Sequence, residues 1–274
     1  MTGIIIKCIS NDYTVLSNNK EYICKPRGIF RNQKITPLVG DVVDFDEKNN
    51  YILKIQKRNN ELIRPQIANV DYAIIVTSVK KPDLDTYLLD KTLTIISYNN
   101  IIPVIYFTKL DLLNETEQKE INNIITYYKK IYKVATSKDE LLEIINNKTV
   151  VLTGQSGAGK STLLNKINPK LNLQTSEISD ALGRGKHTTR HTELHKVNNS
   201  LIADTPGFSK IDFYNMNNIQ IRDNMKEMFD NLDKCKYKDC MHINEDNCKV
   251  KNLVIEGKIL PSRYINYKRF IERK

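Results

Sequence analysis

The spacing of apolar positions divides the chain into three segments. From residue 1 to about 65 the apolar residues come in short runs: Ile4, Ile5 and Ile6; Tyr13, Val15 and Leu16; Tyr22, Ile23 and Cys24; Val42, Val43 and Phe45; Tyr51, Ile52 and Ile55. Turns containing Asn, Gly and Pro separate them. Closely spaced short strands of this kind predict a small closed or half-closed barrel. From residue 66 to 214 longer apolar strands alternate with helix-length amphipathic stretches. Strands are predicted over 70–79, 101–107, 149–153 and 201–203. Helices are predicted over 83–98, where Leu84, Leu88, Leu89, Leu93 and Ile96 recur at helical spacing, and over 115–130. Strands alternating with helices predict an α/β domain on a mainly parallel sheet. Residues 215–274 are polar and mostly helical, with clustered cysteines, and are read as a small third domain.

Composition narrows the class. No apolar run approaches the roughly 20 residues a membrane span needs, and the amino terminus lacks the pattern of a secretory signal. The expectation is a cytoplasmic protein without a membrane partner. Forty-two Lys and Arg stand against 32 Asp and Glu, a net charge of +10, which suits a polyanionic partner such as nucleic acid or a membrane surface as well as a solvated basic face without a partner. The stretch 25–34 in the first segment, basic with Phe30 within it, suits RNA backbone and base stacking as well as an exposed loop. Five cysteines, an odd and low count, argue against a disulfide framework.

The chemistry concentrates in the middle segment. Between the strand 149–153 and a helix beginning near Thr162 lies Gly154-Gln155-Ser156-Gly157-Ala158-Gly159-Lys160-Ser161. Glycines let backbone N–H groups close around phosphate oxygens, and the helix N-terminus behind them favours negative charge. In this motif Lys160 reaches the β- and γ-phosphates and Ser161 ligates Mg²⁺. The loop alone does not separate ATP from GTP. Thr108-Lys109-Leu110-Asp111, at the end of the strand 101–107, does. The Asp of such a motif accepts from guanine N1–H and N2–H, and the Lys stem packs along the base. Asp204-Thr205-Pro206-Gly207 follows the strand 201–203. There Asp204 is expected to hold Mg²⁺ through water and Gly207 to sense the γ-phosphate. Between them, residues 183–191 are glycine-rich and basic, as a switch segment is. Thr188 or Thr189 completes the Mg²⁺ shell in this reading. Phe208 stands where Ras-like enzymes carry a water-orienting glutamine. Hydrolysis is therefore expected to be slow unaided, with His187 or His191 as candidates to organise the water.

Cys235, Cys240, His242 and Cys248 supply three thiolates and an imidazole within 14 residues. That set suits a closed tetrahedral, structural Zn²⁺ site. Cys8 and Cys24 lie singly in strand-like runs and are read as core residues.

The order of motifs is unusual. The guanine motif (108–111) precedes the phosphate loop (154–161), and Asp204 to Gly207 come last. This matches a circularly permuted GTPase domain, which the proximity of domain ends makes tolerable. With Leu38-Val39-Gly40-Asp41-Val42, the loop 154–162, residues 183–190 and 204–208 and the cysteine cluster, the chain resembles the ribosome small-subunit-dependent GTPase A family (RsgA, also called YjeQ). The resemblance covers essentially the whole chain. It implies an OB-fold barrel over 1–65, a permuted P-loop GTPase domain over 66–214 and a zinc domain over 215–274. It also implies GTP and GDP as ligands, small-subunit rRNA as partner, and hydrolysis stimulated by that subunit during late maturation, in a chain expected to be a monomer. The family's guanine-backing Ser-Ala loop is degenerate here, with Ala135-Thr136-Ser137 nearest to it. Two other readings compete. One is an RNA-binding assembly adaptor with vestigial hydrolysis, against which Lys160, Ser161 and Asp204 argue. The other is a permuted GTPase acting on the large subunit.

Overall fold

The computed structural model describes residues 1–28, 30, 35–63, 66–169, 192–203, 212–213 and 216–273. The first five strands, β1 (Thr2–Ile9), β2 (Asp12–Ser17), β3 (Lys20–Pro26), β4 (Val42–Asp46) and β5 (Tyr51–Ile55), close into a barrel of order β1-β2-β3-β5-β4. Alternation along β2 turns Tyr13 and Val15 inward, where Ile5, Cys24, Val43, Phe45 and Ile52 meet them. β1 pairs with β4 at its start and with β2 beyond, and a bulge between Ile5 and Lys7 lets one strand serve both. This is the OB-like barrel expected. Cys24 is buried as a core residue, whereas Cys8, beyond the bulge, is only half-buried.

The turn carrying Leu38, Val39, Gly40 and Asp41 fastens the barrel to a two-stranded hairpin, β6 (Glu61–Ile63) and β7 (Gln66–Ala68). Gly40 has φ +90°, and a side chain there would run into the Ala68 carbonyl. Its neighbour Asp41, fully buried, accepts from Leu38 N at 2.8 Å and from Arg58 Nε at 2.7 Å.

The second unit is a six-stranded sheet of order β10-β9-β8-β11-β13-β12: β8 (Tyr72–Ser78), β9 (Ile102–Thr108), β10 (Lys133–Ala135), β11 (Thr149–Thr153), β12 (Leu194–Val197) and β13 (Ser200–Ala203). All neighbours are parallel except the β12–β13 hairpin. β8 is buried at every position, as a central parallel strand covered on both faces must be. Ala73, Ile75 and Phe107 pack on one side with α1 (Thr86–Tyr98) and α2 (Glu115–Lys129). Ile74, Val76 and Leu152 pack on the other with α3 (Lys138–Ile144) and α4 (Lys160–Ile167). α1 begins at Thr86 and not at Asp83, because the Asp85 carboxylate caps Leu88 N.

The carboxy-terminal part is helical: α5 (Asn218–Asp223), α6 (Lys226–Phe229), α7 (Lys249–Ile255) and α8 (Pro261–Glu272). Its core joins Met225, Met228, Tyr267 and Phe270 to Ile95 of α1, so it rests directly on the sheet domain. No helix among the described residues is long and apolar enough to cross a membrane.

Candidate nucleotide site and metal centre

β8, β9 and β11 are parallel and end at one edge of the sheet, and that is where the sequence motifs meet. In open α/β sheets ligands bind outside the carboxyl ends of the strands. The loop after β11 turns through Gly154, Gly157 and Gly159, at φ +140°, +75° and +97°. Only glycine takes Gly154's place without collision, because an added Cβ would strike the Val76 carbonyl. Lys160 opens α4 and folds back over the loop, donating to Gly154 O at 2.7 Å and Gln155 O at 2.8 Å. Those bonds place its ammonium over the cradle in which phosphates would sit. Ser161 follows in the first helical turn, half-buried.

The end of β9 is tied to this loop at two points. The Thr108 hydroxyl donates to Ala158 O at 2.7 Å. Lys109 adopts the left-handed conformation at φ +61°, which aims its side chain back across the loop. Its ammonium donates to Gly157 O at 2.9 Å and to Lys81 O. Asp111 lies exposed in the 3-10 turn Leu110–Leu112 that follows. Thr108, Lys109, Leu110 and Asp111 share a cavity of about 290 Å³ with Ala158, Gly159 and Thr162. Motifs some 50 residues apart in the chain thus form one site.

Four residues of that cavity were not singled out from the sequence: Tyr106, Phe107, Leu163 and Lys166. Lys166 lies four residues after Thr162 in α4, and helical spacing would have placed the two on one face. Thr136, from the degenerate backing stretch, also lines the cavity. Across the loop, Gly154, Gln155 and Ser156 border a second cavity, of about 270 Å³, whose other walls are β8 and the start of α1. His187, Thr188, Thr189, His191, Asp204, Gly207 and Phe208 lie outside the described residues.

Two family descriptions match the chain: the RsgA N-terminal domain over residues 2–52 and the RsgA GTPase over residues 55–214. The chain belongs to the RsgA GTPase family. It is 47% identical to Small ribosomal subunit biogenesis GTPase RsgA 2 of Oceanobacillus iheyensis, over 98% of this chain and 96% of that one. It is 45% identical to Small ribosomal subunit biogenesis GTPase RsgA of Enterococcus faecalis, over 99% and 94%. Among solved structures it is similar to YloQ, a circularly permuted GTPase, at a TM-score of 0.84 and 37% identity, covering 99% of this chain and 94% of that one. It is similar also to YjeQ from Thermotoga maritima, at 0.86 and 32%, covering 99% and 97%. The family assignment makes the chain a GTP hydrolase, and its motif order is that of a permuted domain.

The cysteine cluster forms a second site in the carboxy-terminal part of the chain. The ligand atoms of Cys235, Cys240, His242 and Cys248 all lie within 4.8 Å of one another. His242 Nδ1 is 3.6, 3.4 and 3.3 Å from the sulfurs of Cys235, Cys240 and Cys248. The sulfurs of Cys235 and Cys248 are 3.9 Å apart. A tetrahedron with metal–sulfur bonds of about 2.3 Å has edges of roughly 3.8 Å, so the four donors fit one ion. The far nitrogen of the ring, Nε2, lies 3.1 Å from Met228 O. Donating there fixes the tautomer and leaves Nδ1 free as a ligand. Burial pushes the Cys240 thiol up to about 12. A cation would reverse that by stabilising the thiolate. Glu245, accepting from Met241 N at 2.6 Å and Ile243 N at 2.8 Å, shapes the loop between the ligands. The arrangement is a site for one metal ion.

Proposed function

We propose that this GTPase binds the small ribosomal subunit and assists its late maturation, turning over GTP slowly alone and faster on the subunit. The observation that carries the guanine assignment is the double tie of Thr108 and Lys109 to the phosphate loop, which puts the T-K-x-D motif and the loop around one cavity. In this reading residues 154–162 hold the phosphates, Lys109 and Asp111 the base, and Ser161 with Asp204 and Thr188 or Thr189 the Mg²⁺. Gly207 senses the γ-phosphate. Phe208 cannot orient water, and His187 is the candidate to do so.

The partner assignment is supported by the relatives' names and by the barrel surface. Ile23, Tyr51 and Leu53 are 64%, 45% and 41% exposed, and Lys25 and Lys54 beside them are exposed too. Aromatic and aliphatic groups set among lysines suit stacking on unpaired bases near a phosphate backbone. The metal we assign as Zn²⁺, because thiolate and imidazole in a closed four-ligand set are its preferred donors. It would crosslink the tail and leave no open position for catalysis. The chain is assigned to the cytoplasm and to a monomeric state, with units divided near residues 65 and 214.

The deciding experiment is GTP turnover with purified small subunits, purified large subunits and neither. Acceleration by small subunits alone is the expected result. No acceleration by either would leave an RNA-binding adaptor as the better reading, and acceleration by large subunits would change the partner.

A further inference from the structure

The cavity beside Asp111 is uneven in its supply of hydrogen-bond donors. Guanine presents N–H donors at N1 and N2, and two acceptors, O6 and N7, on the other edge. Asp111, a carboxylate, suits the donor edge. The acceptor edge needs protons. Thr108 stands in the cavity wall, yet a hydroxyl carries a single proton. That proton goes to Ala158 O at 2.7 Å; among the described residues the other carbonyl within reach, Thr77 O, is at 3.5 Å. Thr136 is similarly engaged. Its N–H donates to Glu140 Oε2 at 2.8 Å and its hydroxyl to the same oxygen at 3.1 Å. Neither threonine side chain has a proton left for a base.

We propose that Thr108 is a latch for the phosphate loop and not a reader of the base: guanine N7 receives no hydrogen bond from the Thr108 hydroxyl, and the base is selected through its N1 and N2 edge at Asp111. The inference rests on the GTP assignment above. An asparagine at this position would differ in kind, because its amide carries two protons. One could hold Ala158 O while the other faced N7. Threonine keeps the first function and gives up the second.

The test is equilibrium binding of the full chain, with Mg²⁺, to GTP, 7-deaza-GTP and ATP. In 7-deaza-GTP a C–H replaces N7, and the other base edges are unchanged. GTP and 7-deaza-GTP are expected to bind within about two-fold of each other, with ATP far weaker. Thr108→Asn should create a preference for GTP over 7-deaza-GTP of about three- to ten-fold, the worth of one neutral hydrogen bond. Thr108→Val, which removes the latch and keeps the shape, should weaken both guanine nucleotides by the same factor. A wild-type preference for GTP over 7-deaza-GTP of about five-fold or more would overturn the proposal. Equal binding of ATP and GTP would defeat the guanine assignment itself, and the proposal with it.

Discussion

Arg263 on α8 and Asp90 in the middle of α1 form an ion pair at 2.6 Å in which both side chains are fully buried. The residues are 173 positions apart and belong to different parts of the molecule. Arg263 also grips Glu227 of α6 with two nitrogens, at 2.8 and 2.9 Å, and donates to the Tyr132 hydroxyl at 2.7 Å. Tyr128 and Asn266 donate to Asp90 at 2.6 and 2.7 Å, and Tyr127 to Glu227 at 2.5 Å. Every carboxylate in the cluster is therefore paired and hydrogen-bonded, the condition under which buried charge is tolerated. α1 is shared between two sites: Asp85, Leu88 and Leu89 near its start line the cavity beside the phosphate loop, and Asp90 anchors the tail.

Truncating Arg263 leaves two carboxylates without their counter-charge in a closed interior. Arg263→Ala is expected to cost about 3–5 kcal/mol, the usual penalty for breaking a buried pair from one side. Denaturant unfolding measures it. Arg263→Lys should fall between, because a lysine keeps the charge but cannot span Asp90 and Glu227 with a planar fork. Equal stability of Arg263→Ala and wild type would show that the cluster does not hold the tail.

The two carboxylates of this joint respond to acid in opposite senses: burial holds the Asp90 carboxyl above its ordinary value despite Arg263, whereas Glu227's contribution is lost in acid. Burial alone would raise Glu227, but the Arg263 guanidinium and the Tyr127 hydroxyl outweigh it and hold the carboxyl below its ordinary value of 4.5. The unfolded chain then binds the proton more readily than the folded one. Glu227's contribution is fully present above the ordinary glutamate range and is lost as pH falls through the lowered folded value. The stability difference between wild type and Glu227→Gln, which already lacks the charge, should therefore shrink as pH falls on that side.

None of this cluster was legible in the sequence. Asp90 follows Leu89 in an amphipathic helix, where an acidic residue reads as solvent-facing, and Arg263 sits in a polar segment rich in tyrosines and basic residues, where a cation reads the same way. Nothing local marks two charges that meet across the chain. The strands of the barrel and sheet were legible, because apolar alternation and continuous apolar runs are local signals. The phosphate loop was legible for the same reason, its strand, glycines and helix being contiguous. Thr108 was legible as the first residue of the guanine motif; that its hydroxyl fastens Ala158 depends on a contact 50 residues away. The hairpin β6–β7, three residues per strand, was too short to show a period.

The metal site should be separable from the nucleotide site. Purified chain is expected to carry about one Zn²⁺, as a four-ligand structural site does, and Cys240→Ser to carry close to none. Because α7 begins immediately after Cys248 and Tyr264 and Tyr267 of α8 donate to the carbonyls of His242 and Met241, the ligand loop supports both helices. Hydrogen exchange over residues 232–273 should rise when the metal is removed by chelator or by Cys240→Ser. Residues 149–163 should keep their protection. Loss of protection throughout would mean that the tail and the sheet domain unfold as one unit.

Asp111 and Lys109 stand two residues apart and should fail in different ways. Asp111 is exposed on a short turn and its side chain makes no hydrogen bond or ion pair among the described residues, so its replacement should leave the fold intact and act on the base alone. Asp111→Asn puts a donor where guanine also presents donors. Losing charge-assisted bonds of this kind should weaken GTP by about ten- to a hundred-fold. Xanthosine triphosphate, which offers a carbonyl in place of the N2 amino group, should bind the variant better than it binds wild type. Lys109→Ala removes the ties to Gly157 O and Lys81 O, which shape the loop whatever base is present. It should therefore weaken guanine and xanthine nucleotides by the same factor. Titration of both nucleotides against both variants separates the roles. If Lys109→Ala changed the ratio between them, the lysine would be reading the base and not bracing the loop.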